Sequence, residues 1–384
     1  MWGTAFWSQG FSDWHEIPVP RRTVDGPHPS LALDYSRFIS AQHRSFVEEQ
    51  RQIIHDYAGD DTPITVNEPS GLDLPHLNMF SLASQQDVLS VNNYPADSSR
   101  LDRTCLGLDL ARSLKQGPFW VMEQQAGAAL IPEHSQQPRP GQLRLWTYQA
   151  AARGAELINY FRWRTARVGQ QMHWYGLLDP DGTPRRRFDE VRSAVEEVQE
   201  KEKLWAEYQP QCPAAIRRDY DSAWALESTK MGCDPVYFGQ VRTFYRLFRR
   251  MGVPVQFVSP DGNLAPFRVV VAPMQFVCTS ALAKKLKVYV HDGGTLLMSA
   301  PAGYKSPANA ALESVPPGPL AEVLGVEVEE HDALGQNYSN AICPEDGAES
   351  YTVDGLCSVL QLRGAEPVAG YERDFYAGSP GITV

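Results

Sequence analysis

Phe119-Trp-Val-Met-Glu123 is an apolar run that ends on a carboxylate. Three other short runs share its character: Pro63-Ile-Thr-Val-Asn67, Val88-Leu-Ser-Val-Asn-Asn-Tyr94 and Leu157-Ile-Asn-Tyr-Phe-Arg-Trp163. Each is rich in β-branched or aromatic residues, and helix-length segments separate them. Strands that read as continuous apolar runs are buried on both faces, as in the parallel sheets of βα units. The fold class expected here is therefore α/β. In such folds ligands gather at the carboxyl ends of the strands. That rule places a chemical site at Asn67 and Glu68, Asn92 to Tyr94, Glu123 to Gln125, and Arg162 to Arg164.

Working outward, Leu31 to Tyr57 carries Tyr35, Phe38, Phe46, Ile53 and Ile54 near helical spacing with charges between them, which predicts a helix. The segment before it is irregular and aromatic, with Trp2, Phe6, Trp7, Phe11 and Trp14. These rings either wall a pocket or pack under a long loop. Downstream, Val191 to Tyr208 reads as one charged, solvated helix. Pro210, Cys212 and Pro213 then break the chain, so the expected domains are 1–209 and 210–384. Two domains also suit 384 residues, too many for one ordinary core.

The second part begins another βα series. Pro254 to Val258, Val269 to Ala272 and Thr295 to Ser299 read as strands, and Ser280 to His291 as a helix stopped by Gly293-Gly294. This pattern resembles a doubly wound domain. It carries neither a Gly-x-Gly-x-x-Gly phosphate loop nor a Gly-x-Ser-x-Gly elbow, so its expected role is structural. Cys357 to Val384 reads as two further strands.

Hydrophobic residues are 43% and charged residues 21%, which speaks against disorder. The formal charge of −11 repels nucleic acid and anionic lipid, so neither is an expected partner, and a neutral sugar is not disfavoured. The six cysteines are scattered with no Cys-x-x-Cys pair. That argues against structural zinc or a disulfide framework and for free thiols in a reducing cytoplasm. No apolar stretch is long enough to span a bilayer, and Met1 to Trp7 lacks the pattern of a signal peptide.

Val121-Met-Glu-Gln-Gln-Ala-Gly127 holds the residue with most chemical promise. A carboxylate directly after an apolar strand is costly unless it is functional or paired. Glu123 is thus either a catalytic carboxylate or a strand-end salt-bridge partner. Glycosidases use one carboxylate as nucleophile or base and a second as acid. Asn67-Glu68-Pro69 offers the second, with Glu68 as proton donor or else as a surface-loop residue. Trp163 has an indole able to stack on a sugar face, and Arg162 and Arg164 are placed to keep carboxylates ionised. The plainer alternative is a structural Arg and a core Trp. His173 lies in the loop that follows, beside Trp174 and Tyr175.

Several of these segments together resemble the nucleophile-bearing region of the β-galactosidases of glycoside hydrolase family 42. They are Val121-Met-Glu-Gln-Gln125, Arg139-Pro-Gly-Gln-Leu-Arg-Leu-Trp-Thr-Tyr-Gln149, Gly154-Ala155 and Phe161-Arg-Trp-Arg164. Trp2-Gly-Thr-Ala-Phe-Trp-Ser8 and Leu33-Asp-Tyr35 fit as well, as do Asp219-Tyr-Asp-Ser-Ala-Trp224, Val270-Val-Ala-Pro273 and Gly293-Gly-Thr-Leu296 in the second part. The resemblance runs in order over almost the whole chain. It implies a (β/α)8 TIM barrel, a doubly wound domain of flavodoxin-like or glutamine-amidotransferase-like type that trimerises, and a small β domain. It implies retention of configuration through a covalent galactosyl-enzyme, with no cofactor.

By the same resemblance Glu123 matches the nucleophile, Tyr94 a tyrosine that orients it, and His173 a sugar-binding histidine. Trp163 and Arg162 join them as expected substrate contacts. The four runs match barrel strands five to eight. Strands one to four, the acid/base Glu and a cysteine metal cluster would then precede Met1, and the small β domain would follow Val384. No metal site is expected in the chain itself. Leu130-Ile131 stands where the family has Asn-Trp, and Gln170 where it has Glu. Two functions follow as expectations. One is retaining hydrolysis of terminal β-galactosides. The other is a truncated, inactive sugar-binding or assembly subunit.

Overall fold

Four helix and strand pairs build the first layer. Helix α1 (Pro29–Ala58) leads to β1 (Asn67–Glu68), α2 (Met79–Ala83), β2 (Ser90–Asn93), α3 (Leu101–Lys115), β3 (Phe119–Gln125), α4 (Gln142–Ala151) and β4 (Ala155–Phe161). The structure is a computed structural model that describes residues 10–21, 26, 28–69, 74–95, 101–129, 136–208, 210–229, 231, 237–335 and 337–384. Trp2, Phe6 and Trp7, and the Leu130-Ile131 pair, lie outside that set.

Strands β1 to β4 form one parallel sheet in sequence order. The register places Asn67 beside Ser90, Asn92 beside Glu123 and Gln125 beside Phe161. Consecutive neighbours joined by helices follow from the alternation read in the sequence. Strand β1 is shorter than the run from Pro63 predicts. The amides that would extend its ladder are taken by side chains: Ile64 N donates to Asp87 Oδ2 at 2.8 Å and Val66 N to Gln86 Oε1 at 3.0 Å. Pro63 has no amide to give.

Two helices, α5 (Arg186–Gln199) and α6 (Glu202–Glu207), follow β4. The sequence predicts a single helix over 191–208. The break falls at Glu200 and Lys201, in a stretch without buried side chains to hold a continuous helix on the body.

The second layer comprises β5 (Ala214–Arg217), α7 (Tyr220–Ser228), α8 (Tyr237–Arg250), β6 (Val255–Val258), β7 (Val269–Ala272), α9 (Ser280–His291) and β8 (Thr295–Met298). Its strands are parallel in the order β6-β5-β7-β8. Thr279 caps α9 by accepting from Leu282 N at 3.1 Å. Gly293 follows that helix at φ 94°, the left-handed region that glycine enters freely. Strand β5 escapes the sequence reading because it is four residues long and ends in Arg217.

After the short α10 (Ala321–Leu324) the chain becomes antiparallel. Strand β9 (Val326–Ala333) pairs with β12 (Leu356–Leu362). Strands β10 (Asn340–Pro344), β11 (Tyr351–Val353), β13 (Pro367–Tyr371) and β14 (Pro380–Thr383) form a sheet in the order β11-β10-β13-β14. The region past Cys357 thus holds three strands, where two are predicted. The third is a four-residue edge strand with little apolar pattern.

A single apolar cluster joins the two parallel layers. Phe119, Val121, Leu108 and Leu110 belong to it, together with Ile216, Trp224 and Phe257 from the second layer. Helix α3 is buried from Thr104 to Ala111 because it packs both on β2 and β3 and on β6. Polar ties cross the same seam. Tyr245 Oη donates to Asp109 Oδ2 at 2.6 Å, Phe257 N to Ser113 Oγ at 2.9 Å, and Trp224 Nε1 to Pro75 O at 2.6 Å.

Candidate active site

Because β1 to β4 are parallel and in register, their carboxyl ends lie along one edge. Asn67 on β1, Tyr94 just past β2, Glu123 on β3 and Arg162 just past β4 are brought to that edge. The apolar residues behind them, Val91 and Val121, face the helices and are buried at 2% and 0% exposure, which fixes the strands.

The Glu123 carboxylate receives one donor on each oxygen. Asn67 Nδ2 donates to Oε1 at 2.9 Å, and Tyr94 Oη donates to Oε2 at 2.6 Å. The two bonds fix the orientation of the carboxylate. The Tyr94 hydroxyl is itself held in the protonated state. Burial pushes its pKa up, the bond to Glu123 and that residue's charge push it further, and Arg162 opposes them weakly. A phenol that never ionises is a permanent donor.

An aromatic wall backs this pair. Trp174 meets Tyr94 edge to face at 5.2 Å between centroids and Phe161 at 6.1 Å. The Arg162 guanidinium lies over the Phe161 ring at 4.4 Å and donates to Gln171 Oε1. The loop after β4 returns to the strand end through Leu177 N to Arg162 O and Leu178 N to Trp163 O, both 2.8 Å. That return sets Trp174 against Tyr94 and leaves His173 exposed beside it. Trp163 is 62% exposed, its ring touching only the edge of Phe188 among described aromatic residues.

Two expectations need correction. Glu68 is not gathered to the nucleophile. Adjacent residues of a strand point to opposite faces, and Asn67 takes the face of Glu123. Glu68 is 3% exposed on the other side, where its Oε1 accepts from Gln86 Nε2 at 3.1 Å. Burial pushes its pKa up to about 7, and the bond from Gln86 opposes that rise. The arginines also do not hold Glu123. Arg162 pairs with Gln171, and Arg164 donates to Pro180 O at 2.6 Å. Sequence reasoning also missed Asn67 as a donor and Trp174 as the packing partner of Tyr94. Strand alternation alone would have separated Asn67 from Glu68; the Trp174 contact joins loops 80 residues apart and leaves no local signal.

Among the described residues no group of three His, Cys, Asp or Glu side chains is arranged to hold a metal ion.

Parallel strands bearing a carboxylate at their carboxyl edge, held by two donors and backed by aromatic rings, define an α/β protein with an acidic site at its strand ends. Comparison with known proteins narrows this. The chain belongs to the β-galactosidase family, glycoside hydrolase family 42: the family model described as β-galactosidase matches residues 1–201, and the one described as β-galactosidase trimerisation domain matches 213–384.

Among curated relatives, the β-galactosidase BgaH of Haloferax lucentense is 36% identical over 99% of this chain and 58% of its own length. The β-galactosidase BgaA of a Thermus species is 34% identical over 87% of this chain and 53% of its own. The solved β-galactosidase of Bacillus circulans sp. alkalophilus superposes with a TM-score of 0.93 at 28% identity, covering 100% of this chain and 58% of that one. The chain therefore spans a little over half the length of the relatives it matches.

Proposed function

We propose that the chain supplies the nucleophile-bearing part of a retaining β-galactosidase. On this reading β1 to β4 are strands five to eight of a (β/α)8 barrel, and β5 to β8 form a doubly wound, flavodoxin-like domain that trimerises. The observation that carries the reading is the Glu123 carboxylate with one donor on each oxygen at the carboxyl edge of a parallel sheet.

In the reaction a Glu123 oxygen attacks the anomeric carbon of a terminal β-galactoside. A glycosyl ester forms, and the bond to the leaving oxygen breaks as that oxygen takes a proton. Water then attacks the same carbon as the group that protonated the leaving oxygen takes its proton, which releases Glu123 and yields the sugar with its original configuration. Tyr94 and Asn67 hold the carboxylate for attack, and the Tyr94 hydroxyl stays protonated throughout. Trp163 and His173, both exposed near the strand ends, are the proposed sugar contacts, with Arg162 holding the loop that carries His173. The proton donor has to stand about 5–5.5 Å from the nucleophile. Glu68, on the opposite face of β1, is not in position to serve, so the donor is assigned to a segment beyond these residues.

A second reading, a sugar-binding or assembly subunit without turnover, is favoured by one observation. Glu68, the other carboxylate at these strand ends, is turned to the far face of β1 and bonded to Gln86.

Both are tested with an aryl 2-deoxy-2-fluoro-β-galactoside bearing an activated leaving group, which needs little acid assistance. Intact mass should rise by one fluorogalactosyl unit, located at Glu123 by peptide mapping, and Glu123→Gln should stay unlabelled. Absence of labelling in the wild-type chain favours the binding reading.

A further inference from the structure

We infer that Asn67 is a positioning residue for the nucleophile, with the specific task of holding Oε1 of Glu123. This rests on the glycosidase reading of the site. The sheet gives the side chain no other evident work. It is exposed, it belongs to no apolar cluster, and its described contact is the 2.9 Å bond to Glu123. Strand β1 consists of two residues, one facing Glu123 and the other buried against Gln86, so the buried Glu68 side anchors the strand and leaves Asn67 free to serve the edge.

The chemistry needs that bond. Tyr94 alone fixes only Oε2, and a carboxylate held at one oxygen still swings about its terminal torsion, which is soft at an sp³–sp² bond. A second donor on Oε1 sets the plane of the group. When one oxygen forms the ester, the other becomes a carbonyl and keeps its donor, so the held geometry persists through the step. Asn67 is neutral and adds no charge beside the nucleophile. An aspartate at the same place donates only while protonated and repels Glu123 once ionised.

The test is the rate of covalent labelling of the full chain by the aryl 2-deoxy-2-fluoro-β-galactoside, measured from pH 4 to pH 8. Asn67→Ala should slow labelling about 10- to 100-fold, the worth of a lost bond to a charged acceptor, with half-saturating reagent concentration little changed. Asn67→Asp should approach the wild-type rate at the acid end and fall away from it steeply as pH rises. A purely structural asparagine would lower stability while leaving the labelling rate of folded Asn67→Ala at the wild-type value. Circular dichroism confirms folding of each variant. Equal labelling of wild type and Asn67→Ala, or a pH-independent Asn67→Asp ratio, overturns this inference alone. No labelling of folded wild-type protein overturns the glycosidase reading and this inference with it.

Discussion

Glu68 and Gln86 form a hydrogen-bonded pair sealed behind β1, with Gln86 Nε2 donating to Glu68 Oε1 at 3.1 Å. Gln86 is fixed in turn, since its Oε1 accepts from Val66 N at 3.0 Å and its carbonyl accepts from Lys115 Nζ at 2.7 Å. Burial raises the Glu68 carboxyl from 4.5 to about 7. In the unfolded chain the group has released its proton above roughly pH 4.5, whereas the folded chain keeps it until near pH 7. The contribution to stability is therefore fully present below the unfolded value and is lost as pH rises through the folded one. Its size is on the order of 3 kcal/mol. Urea unfolding from pH 4 to pH 8 should show this fall, and Glu68→Gln should flatten it and be the more stable protein at pH 8. A Glu68→Gln curve parallel to wild type would show that Glu68 is not the group responsible.

Tyr94 is 8% exposed, and its hydroxyl makes the shorter of the two bonds to Glu123. Tyr94→Phe keeps the ring that Trp174 packs on and removes only the donor. A bond to a charged acceptor is worth about 1.5–3 kcal/mol, so labelling by the fluorogalactoside should slow about 10- to 100-fold while Tm changes little. Because Tyr94→Phe introduces no titratable group, its rate should not acquire the steep fall with rising pH expected of Asn67→Asp. That separates it from Asn67→Asp. An unchanged rate would mean that Glu123 is held by other groups.

Much of this arrangement is legible in the sequence where a buried period dominates. The apolar runs at 119–123 and 269–272 and the helix at 280–291 coincide with β3, β7 and α9, because each buries its residues against two layers or carries its own cap and stop. Strand β5 is not legible because two arginines follow its apolar residues. Those guanidinium groups are buried at 1% and 0% exposure, Arg217 through bonds to Gln275 and Pro260 and Arg218 against the Tyr220 and Phe238 rings. Of the antiparallel strands from 326 on, β9 and β11 are largely exposed and alternate weakly, while β10 and β12 each bury three residues in a row, which is not the alternating signature of a one-sided sheet. Within the site, the strand ends are predictable but the facing is not read correctly. Glu68 draws attention as a carboxylate while its neighbour Asn67 is the one turned toward Glu123.

Tyr245 on α8 and Asp109 on α3 tie the two layers, and the same Asp109 carboxylate lies 3.6 Å from Arg112 and 3.4 Å from Arg153. Burial and the Asp109 charge push the Tyr245 phenol up, so it donates at every pH of interest. With one apolar cluster running through both, the two parallel layers should unfold together in urea, in one transition reported by Trp224 and its neighbours. Tyr245→Phe should shift that transition by about 1–3 kcal/mol without splitting it. Phe257→Ala, at 1% exposure in the shared cluster, should cost about 3–5 kcal/mol. Two separate transitions in wild type would show that the layers fold independently.

Gly176 sits where the loop after β4 passes back across the strand end. A Cβ at this position would lie 2.5 Å from Arg162 O and 3.0 Å from both Arg164 C and Thr165 N. All three are backbone atoms, so no rotamer change relieves the contact. The same passage is fastened by Gly176 N to Thr165 Oγ1 at 3.0 Å and Leu177 N to Arg162 O at 2.8 Å. Gly176→Ala must therefore push the loop off β4 and carry His173 and Trp174 with it. Overpacking of this kind costs about 1–3 kcal/mol. Gly169→Ala is the control, because its Cβ would meet nothing within 4 Å and its φ of 91° strains the backbone without moving the loop toward the site. Gly176→Ala should lose the near-ultraviolet dichroism of the Trp174 and Tyr94 pair and label Glu123 more slowly than Gly169→Ala does at equal Tm. Equal labelling by the two variants would mean that the loop does not support the nucleophile through Trp174 and Tyr94.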